Sequence, residues 1–424
     1  MNFFKNIFGQ KKINNKTAIN IKKINFNTDV GKIFAAISEY SEKSEVRYVG
    51  GCIRKILNNE EIDDIDLATN LKPDETINAL KNNQINFYET GIEHGTITAN
   101  INGKDFEITS LRKDVSTDGR HANVEFSESW YEDASRRDFT INSIYSDLNG
   151  NLYDPFNGKE DLEKKIIKFI GNAEKRIKED YLRILRYIRF SLNYSNLTHQ
   201  DSVKKIIKQN ISGISKISSE RLLSELKKIF NSNGILKLHS DKFSLEIIQI
   251  IFPQLKNLNI LKKLNRYVEN HNFQKDFILL IAILIIDDTD NCEYFLYKFK
   301  ISNEDKKRIM FIKNFYSKPL EKNFFSEKNL WKVLYNDGKK SLMDLINFSI
   351  LRSKKDDDKK LIKLKDFFNN QSPPIFPIKA RELIGKYNLK EGRELGQKLK
   401  QIENLWIEND FKIQQKDIEK IVTT

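Results

Sequence analysis

Residues 46–69 read VRYVGGCIRKILNNEEIDDIDLAT, and this stretch decides the fold that we expect for the 424-residue chain. The segment VRYV is rich in strand-forming side chains and runs into Gly50-Gly51, which predicts a strand that ends in a tight turn. Arg54–Leu57 then has helical character, and DIDLAT at 64–69 predicts a second strand. A strand, a glycine turn, a short helix and another strand are therefore expected to follow one another closely.

The second of these strands carries two carboxylates. Residues i and i+2 of a strand point to the same face, so Asp64 and Asp66 converge while Ile65 points towards the core. Paired carboxylates supply hard oxygen ligands for Mg²⁺ and leave its other positions to water and phosphate. The Gly50-Gly51 turn lets backbone amides approach a triphosphate, which Arg54 can grip. The alternative is a surface strand with an acidic face, which a lone Asp-x-Asp pattern would favour.

Strand patterns continue to about residue 150. TITANI at 96–101 and DFEITSL at 105–111 predict two further strands, and Asn102-Gly103 predicts the hairpin turn between them. Helical patterns occupy Thr28–Lys43 and Thr76–Asn83. Beyond Gly158 helical periodicity is nearly continuous. The expected fold class is therefore α+β, with a small mixed sheet followed by an all-helical remainder.

The charge of the chain is unevenly distributed. Its 72 basic and 59 acidic side chains give a net charge of +13. Residues 1–200 hold 29 basic and 30 acidic side chains, whereas residues 201–424 hold 43 and 29, a net charge of +14. Because the excess lies in the second half, which is largely helical, we expect that half to face a polyanion.

Cysteine use and hydropathy exclude several classes of protein. Cys52 and Cys292 alone cannot form a disulfide framework or a cysteine-rich zinc site, and they suit a reducing compartment. The longest apolar run, Phe277–Ile286, is too short to span a bilayer and predicts a buried helix. The basic N-terminus lacks the pattern of a signal peptide. We therefore expect a cytoplasmic protein with no membrane partner.

Two further groups of residues can contact a nucleotide. The stretch Arg136–Asn142, RRDFTIN, combines guanidinium groups, a carboxylate and an amide, which can bind phosphates and a ribose hydroxyl. Further along, Asp180, Arg183 and Arg186 are expected on one helical face. An Asp beside an Arg offers the acceptor and the donors that pair with the edge of a base. Taken singly, the alternatives are a charged helix N-terminus and an ordinary i, i+3 ion pair.

These motifs occur together and in order, and their combination resembles the class II nucleotidyltransferases. That family comprises the bacterial-type CCA-adding tRNA nucleotidyltransferases and the bacterial poly(A) polymerases. The matching motifs are Gly50–Arg54, Asp64 with Asp66, the flexible loop Leu111–His121, Arg136–Asn142, the hinge Asp154–Gly158, the helix Glu179–Arg186, and Glu220-Arg221 with Glu225. The chain departs from the family at Lys55, where Asp is usual.

The resemblance implies a role for each matching residue. Asp64 and Asp66 would be catalytic and would hold two Mg²⁺ ions. Glu107, on a nearby strand, is either a third carboxylate of this site or a strand residue that faces solvent. Asp180 and Arg183 would act as a protein template for C and A. The residues implied in nucleotide binding are Gly51, Arg54, Arg137, Asp138, Asn142, Asp180, Arg183, Arg186 and Arg189.

The resemblance also implies a division of the chain into five parts. These are a basic N-terminal arm at 1–28, a nucleotidyltransferase head at 29–153, a helical neck with the nucleobase template at 154–230, a helical body at 231–370 and a helical tail that binds tRNA at 371–424.

The implied activity is addition of CCA to tRNA 3′ ends from CTP and ATP, without a nucleic-acid template and with release of pyrophosphate. A poly(A) polymerase would share the carboxylate pair but add A without stopping, and enzymes that add only A or only CC are further alternatives. The loop at 111–121 and the intact Glu179–Arg183 favour complete CCA addition. An inactive RNA-binding relative would not need both Asp64 and Asp66. The partners are then tRNA, CTP and ATP, and the sequence indicates no protein partner.

Overall fold

A computed structural model describes residues 28–117, 122–271, 273–317, 324–355 and 358–423. The predicted basic arm lies outside these ranges except for Thr28, and so do residues 118–121 of the predicted flexible loop. The chain divides into two compact units, with the boundary between Ile251 and Phe252.

The first unit contains a mixed sheet. The strands are β1 (Val46–Val49), β2 (Asp66–Thr69), β3 (Asn86–Gly91), β4 (Thr96–Ile101), β5 (Lys104–Ser110), β6 (Arg112–Thr117), β7 (Ala122–Phe126), β8 (Tyr145–Ser146) and β9 (Leu152–Tyr153). Seven of them form one sheet in the order β3-β4-β5-β2-β1-β8-β9, and β6 and β7 form a separate hairpin. Only the β2–β5 pair is parallel among the strand pairs of the described chain.

The register of the sheet brings the predicted turn and a carboxylate to one edge. β1 and β2 are antiparallel with Tyr48 opposite Leu67, so the end of β1 lies beside the start of β2. The predicted strand at 64–69 is too long, because β2 begins at Asp66 and Asp64 lies in the connection before it. The chain turns away from the sheet at Gly50, whose φ is 69°. The residues before Asp66 therefore have no strand partner on the β1 side of β2.

Ten α-helices accompany the sheet in the described part of the first unit, and the first three of them pack against its strands. They are α1 (Thr28–Ser38), α2 (Gly51–Leu57), α3 (Pro73–Asn82), α4 (Trp130–Arg136), α5 (Gly158–Glu163), α6 (Ala173–Glu179), α7 (Arg183–Tyr194), α8 (Asp201–Asn210), α9 (Ser219–Asn231) and α10 (Lys242–Ile251). Helix α1 ends five residues earlier than its pattern predicts, because residues 39–43 form turns. The core of the sheet includes Ile33, Tyr48, Leu67 and Ile97, none of which is exposed to solvent.

Helices are the only regular secondary structure of the second unit among the residues that the structure describes. Its helices are α11 (Ile260–His271), α12 (Phe277–Ile285), α13 (Asn291–Lys298), α14 (Asn303–Tyr316), α15 (Glu327–Arg352), α16 (Lys359–Asn369), α17 (Ala380–Tyr387), α18 (Arg393–Glu408) and α19 (Gln415–Thr423). The apolar run forms the buried helix α12 as predicted, with Asp276 capping its N-terminus. Helix α15 is kinked at Gly338, a break that the sequence pattern did not predict.

The predicted α+β architecture is confirmed. Within the described ranges, no helix has the length and apolarity that crossing a membrane requires. The five-part division of the chain stays a prediction.

Candidate active site

One cavity of the first unit, about 1390 Å³ in volume, collects nearly all the predicted site residues. Glu107 is the only member of the predicted set that does not line it. The predicted residues that do are Gly51, Arg54, Asp64, Asp66, Arg137, Asp138, Asn142, Asp180, Arg183, Arg186 and Arg189. Sequence motifs that are far apart along the chain therefore meet around one space.

The two aspartates lie at the N-terminal end of the central strand β2. Asp66 is half-buried at the start of β2, whereas Asp64 is exposed. Between them Ile65 packs against the head core, as predicted. Burial raises the pKa of the Asp66 carboxyl, and the negative charges of Glu107 and Asp64 add to that rise, whereas Arg137 opposes it.

This donor set fits a divalent cation. Partly buried carboxylates that repel one another gain stability when a cation neutralises them, and two of them leave room for water and phosphate ligands. Glu107 is the register partner of Asp66 on β5. In the described part of the chain, no group of three or more His, Cys, Asp or Glu surrounds a common metal position. The role of Glu107 as a third ligand therefore stays a prediction.

Arg54 and the glycine turn form a cradle for anions. Helix α2 carries Arg54, whose Nη1 donates a hydrogen bond to Asn142 Oδ1 and whose guanidinium lies 4.8 Å above the ring of Phe190. Its Nε is buried and has no hydrogen-bond partner among the described residues, so a donor is available to a ligand. At Gly50, with φ 69°, a Cβ would lie 3.4 Å from Arg137 Nη1. Only a glycine fits this turn without strain.

Asn142 and Asp138 link this cradle to α7. The Asn142 amide nitrogen donates to Asp138 Oδ1 at 2.8 Å, and Arg186 Nε donates to Asp138 Oδ2 at 2.6 Å. Burial opposes ionisation of Asp138, yet Arg186 and Asn142 together lower the pKa of its carboxyl to about 2. Asp138 is therefore ionised at neutral pH and orients Asn142 and Arg186.

Arg137 is held by a residue that the sequence did not single out. Its Nε and Nη2 donate to Asp133 Oδ2 at 3.3 and 3.1 Å, and its Nε also donates to the Tyr145 hydroxyl at 3.0 Å. Asp133 is 1% exposed. Although burial raises the pKa of Asp133, Arg137 and Arg136 lower it well below its usual range. This fixed ion pair directs Arg137 towards the turn.

The predicted template residues are arranged differently from the expectation. Asp180 does not share a helical face with Arg183, because α6 ends at Glu179 and α7 begins at Arg183, with Asp180 in an extended conformation between them. Asp180 Oδ2 accepts a hydrogen bond from Arg221 Nη2 at 2.7 Å. Arg183 Nη1 donates to Glu179 Oε2 at 2.7 Å. The break in the helix nevertheless leaves both side chains lining the cavity.

Some cavity residues were not assigned a role from the sequence. Helix α9 lines one side of the cavity with the basic residues Arg221, Lys227 and Lys228. Its buried Glu225 pairs with Arg189 of α7. Lys227 and Lys228 are exposed. Their signal in the sequence is weak, because two lysines on the outer face of an amphipathic helix are ordinary. The other lining residues without a predicted role include Arg112, Asn193 and Tyr194.

Family models match two parts of the chain. Residues 46–168 match the poly A polymerase head domain, and residues 196–258 match the probable RNA and SrmB-binding site of polymerase A. The "CCA tRNA nucleotidyltransferase 1, mitochondrial" of Mus musculus is 32% identical over 393 residues, which cover 89% of this chain and 86% of the relative.

The chain belongs to the CCA-adding tRNA nucleotidyltransferase family.

Other members of the CCA-adding family show the same extent of similarity. The CCA-adding enzyme of Streptococcus uberis is 30% identical over 382 residues, covering 89% of this chain and 92% of the relative. Among solved structures, the Bacillus stearothermophilus CCA-adding enzyme in complex with CTP superposes with a TM-score of 0.67 at 22% identity, over 90% of this chain and 93% of that one. At this identity the superposition establishes the shared fold.

Proposed function

We propose that this protein adds CCA to the 3′ ends of tRNA from CTP and ATP, without a nucleic-acid template and with release of pyrophosphate. The observation that carries the proposal is the convergence on one cavity of paired carboxylates, an anion cradle and an Asp–Arg pair able to read a base. Family membership supports the same activity, since the relatives that match along most of the chain are named as CCA-adding enzymes.

Asp64 and Asp66 are proposed to hold Mg²⁺. A divalent cation bound there would supply Lewis-acid activation of the RNA 3′-hydroxyl and neutralise the triphosphate. The chain's own contribution is to bring the two carboxylates to the end of β2 that faces Arg54 and Gly51 across the cavity.

The triphosphate is proposed to bind against Arg54 and the backbone of Gly51, with Arg137 at its side. The buried Arg54 Nε has an unused donor, and Asn142 fixes the direction of the guanidinium. Asp138 is a strong hydrogen-bond acceptor because it stays ionised, and we assign it to the ribose together with Asn142. Arg186 and Arg189 add positive charge on the α7 side.

Asp180 and Arg183 are proposed to select the base. Cytosine and adenine each present an amino donor to a carboxylate and an acceptor nitrogen to a guanidinium. Guanine and uracil present the reverse pattern, which would leave buried polar groups unpaired at a cost of about 1–3 kcal/mol each. Asp180 keeps acceptor capacity, since its two oxygens accept one hydrogen bond each from Leu182 N and Arg221.

The helical part of the chain beyond residue 200 is proposed to bind tRNA. We assign the head to residues 29–153, the template-bearing neck to 154–230, the body to 231–370 and the tail to 371–424. The net charge of +14 beyond residue 200 suits a phosphate backbone. A cytoplasmic location is proposed from the two unpaired cysteines alone, both of them buried.

Incubation with tRNA that lacks its terminal CCA, together with CTP, ATP and Mg²⁺, tests the proposal. Sequencing of the products should show C, C and A followed by arrest. A long A tract would instead identify a poly(A) polymerase, and products that stop after CC, or that need a CC end before A is added, would identify a partial activity. Absence of any incorporation would contradict the assignment.

A further inference from the structure

Lys55 forms an ion pair beside the paired aspartates. Lys55 Nζ on α2 lies 2.5 Å from Asp63 Oδ2, on the connection that leads into β2. The Lys55 side chain is 23% exposed and that of Asp63 is 70% exposed. Both residues line the cavity.

The connection that Lys55 holds has an unusual concentration of negative charge. Residues 58–65 read NNEEIDDI, with four carboxylates and no cation. All four of these carboxylates line the cavity together with Asp66. Like charges this close repel one another. A cation supplied from outside the segment therefore stabilises its ionised carboxylates.

Asp64 depends on its neighbours for its position. Within the described chain its carboxylate forms no hydrogen bond or salt bridge, and the residue is exposed. On one side Ile65 packs against the head core, and on the other side Asp63 is bound by Lys55. These two anchors, one apolar and one ionic, fix the short stretch of backbone that presents Asp64.

We propose that Lys55 is a positioning residue that holds Asp63 and thereby presents Asp64 to the metal. The inference rests on the proposed function, because Asp64 is assigned there as a ligand. An exposed ion pair adds little to global stability, so the effect belongs to the geometry of the site.

The sign of the change in metal affinity separates positioning from simple electrostatics. Lys55→Asp makes the site more negative, and by charge alone it would bind Mn²⁺ more tightly. If Lys55 positions Asp64 through the neighbouring Asp63, the same variant binds Mn²⁺ more weakly, by about 10-fold, the lower end of the range for losing a direct partner of a metal ligand. The exchange K55D/D63K restores the pair with the net charge of the wild type and should return the affinity towards the wild-type value.

The experiment measures the Kd for Mn²⁺ by electron paramagnetic resonance on the full chain without nucleotide or tRNA. Lys55→Asp, Asp63→Lys, the double exchange and the conservative Lys55→Arg are compared, and Tm verifies that each variant folds. Lys164→Asp is the matched control. Lys164 Nζ lies 2.6 Å from Glu160 Oε1, and neither residue lines the cavity. In CCA addition, the Mg²⁺ concentration for half-maximal rate should rise for both single variants and recover in the exchange.

Unchanged or tighter Mn²⁺ binding by Lys55→Asp would overturn the proposal, and so would failure of the exchange to recover affinity. A rise in KM for CTP with unchanged Mn²⁺ affinity would assign Lys55 to the triphosphate instead. If the wild type binds Mn²⁺ but adds no CCA, the proposed function fails while the Mn²⁺ comparison still decides the positioning role.

Discussion

At the scale of single residues, the site is a set of charges held by specific partners. At Asp66 the charge is unfavourable for the fold, since burial and neighbouring carboxylates raise its pKa. A carboxyl whose pKa is raised on folding binds its proton more tightly in the native state, so its ionisation at neutral pH destabilises the fold. Such a group is retained for chemistry rather than for stability.

Asp66→Asn should therefore have opposite effects on activity and stability. Nucleotide incorporation should fall by more than about 100-fold, because a proposed metal ligand is lost. The metal-free protein should melt at a higher temperature at neutral pH, while tRNA binding is unchanged. Incorporation assays, differential scanning calorimetry and filter binding measure these three quantities.

The control for Asp66 is Asp105→Asn on the neighbouring strand. Asp105 is exposed, accepts a hydrogen bond from Asn100 at 2.5 Å and does not line the cavity. Its replacement should leave incorporation unaffected. Retained incorporation by Asp66→Asn would remove Asp66 from the metal site.

Arg183→Ala should relax base selection. Each hydrogen bond lost from the readout of C or A removes about 1–3 kcal/mol of discrimination, which corresponds to about 5- to 150-fold in selectivity against U and G. Competition assays with mixed nucleotides give the ratios of kcat/KM. Arg176→Ala is the matched control, since Arg176 Nη1 pairs with the same Glu179 oxygen at 2.9 Å without lining the cavity. Equal relaxation in both variants would mean that Glu179, rather than the Arg183 guanidinium, governs selection.

At the scale of elements, the site depends on links between segments that are separate along the chain. Asp138 follows α4 and binds Arg186 of α7, and Asn142 connects the same carboxylate to Arg54 of α2. Three elements are thereby joined by one ionised side chain. Their relative positions should respond to the protonation of that carboxyl.

The contribution of Asp138 to stability should vanish in acid. Its folded pKa of about 2 lies below the unfolded value of about 3.9, so the stabilisation is complete above the unfolded value and is lost as the pH falls towards 2. Asp138→Asn should cost about 2 kcal/mol of unfolding free energy at neutral pH. Urea denaturation at a series of pH values should show this difference shrinking below about pH 4.

The exposed Asp74→Asn serves as the control for that series, since its replacement should cost little at any pH. A cost of Asp138→Asn that stays constant down to acid pH would show that the ion pair with Arg186 does not stabilise the fold.

At the scale of the whole molecule, the distribution of charge separates two tasks. Residues 1–200 are nearly neutral because their acidic and basic side chains balance, whereas residues 201–424 carry the positive excess. Release of counterions from a bound phosphate backbone then makes affinity fall with salt.

Lysines of the proposed tail should control this salt dependence. Three exposed lysines of this region, Lys400, Lys412 and Lys416, are changed together to Gln. The affinity for tRNA should fall, and the slope of log Kd against log salt should decrease by about 1 for each phosphate that the variant no longer neutralises. Filter binding over a series of salt concentrations measures the slope.

The matched control changes three exposed lysines of the first half, Lys32, Lys43 and Lys168, to Gln. This variant has the same change in net charge and should keep the wild-type slope. Equal slopes for the two triple variants would show that total charge, and not a tRNA-binding region, governs affinity.

Local sequence determined much of the fold and of the chemistry. Gly50 and the Asn102-Gly103 turn adopt positive φ as their residue types predict, and β4 coincides with the predicted 96–101. These features follow from short-range sterics and from the period of two along a strand, so neighbouring residues suffice to encode them. The motifs likewise predict the groups that we propose to bind metal, phosphate and base, because each chemistry needs particular side chains.

Only the tertiary structure decided which charge pairs with which. Arg137 binds Tyr145, Asp180 binds Arg221, and the lysines of α9 line the cavity. The partners of Asp180 and of Arg54 lie 41 and 88 residues away along the chain. No periodicity encodes such distant contacts, because they arise when separate elements pack together and buried charges must find a partner. The sequence therefore determined the chemical groups of this site, and packing decided their arrangement.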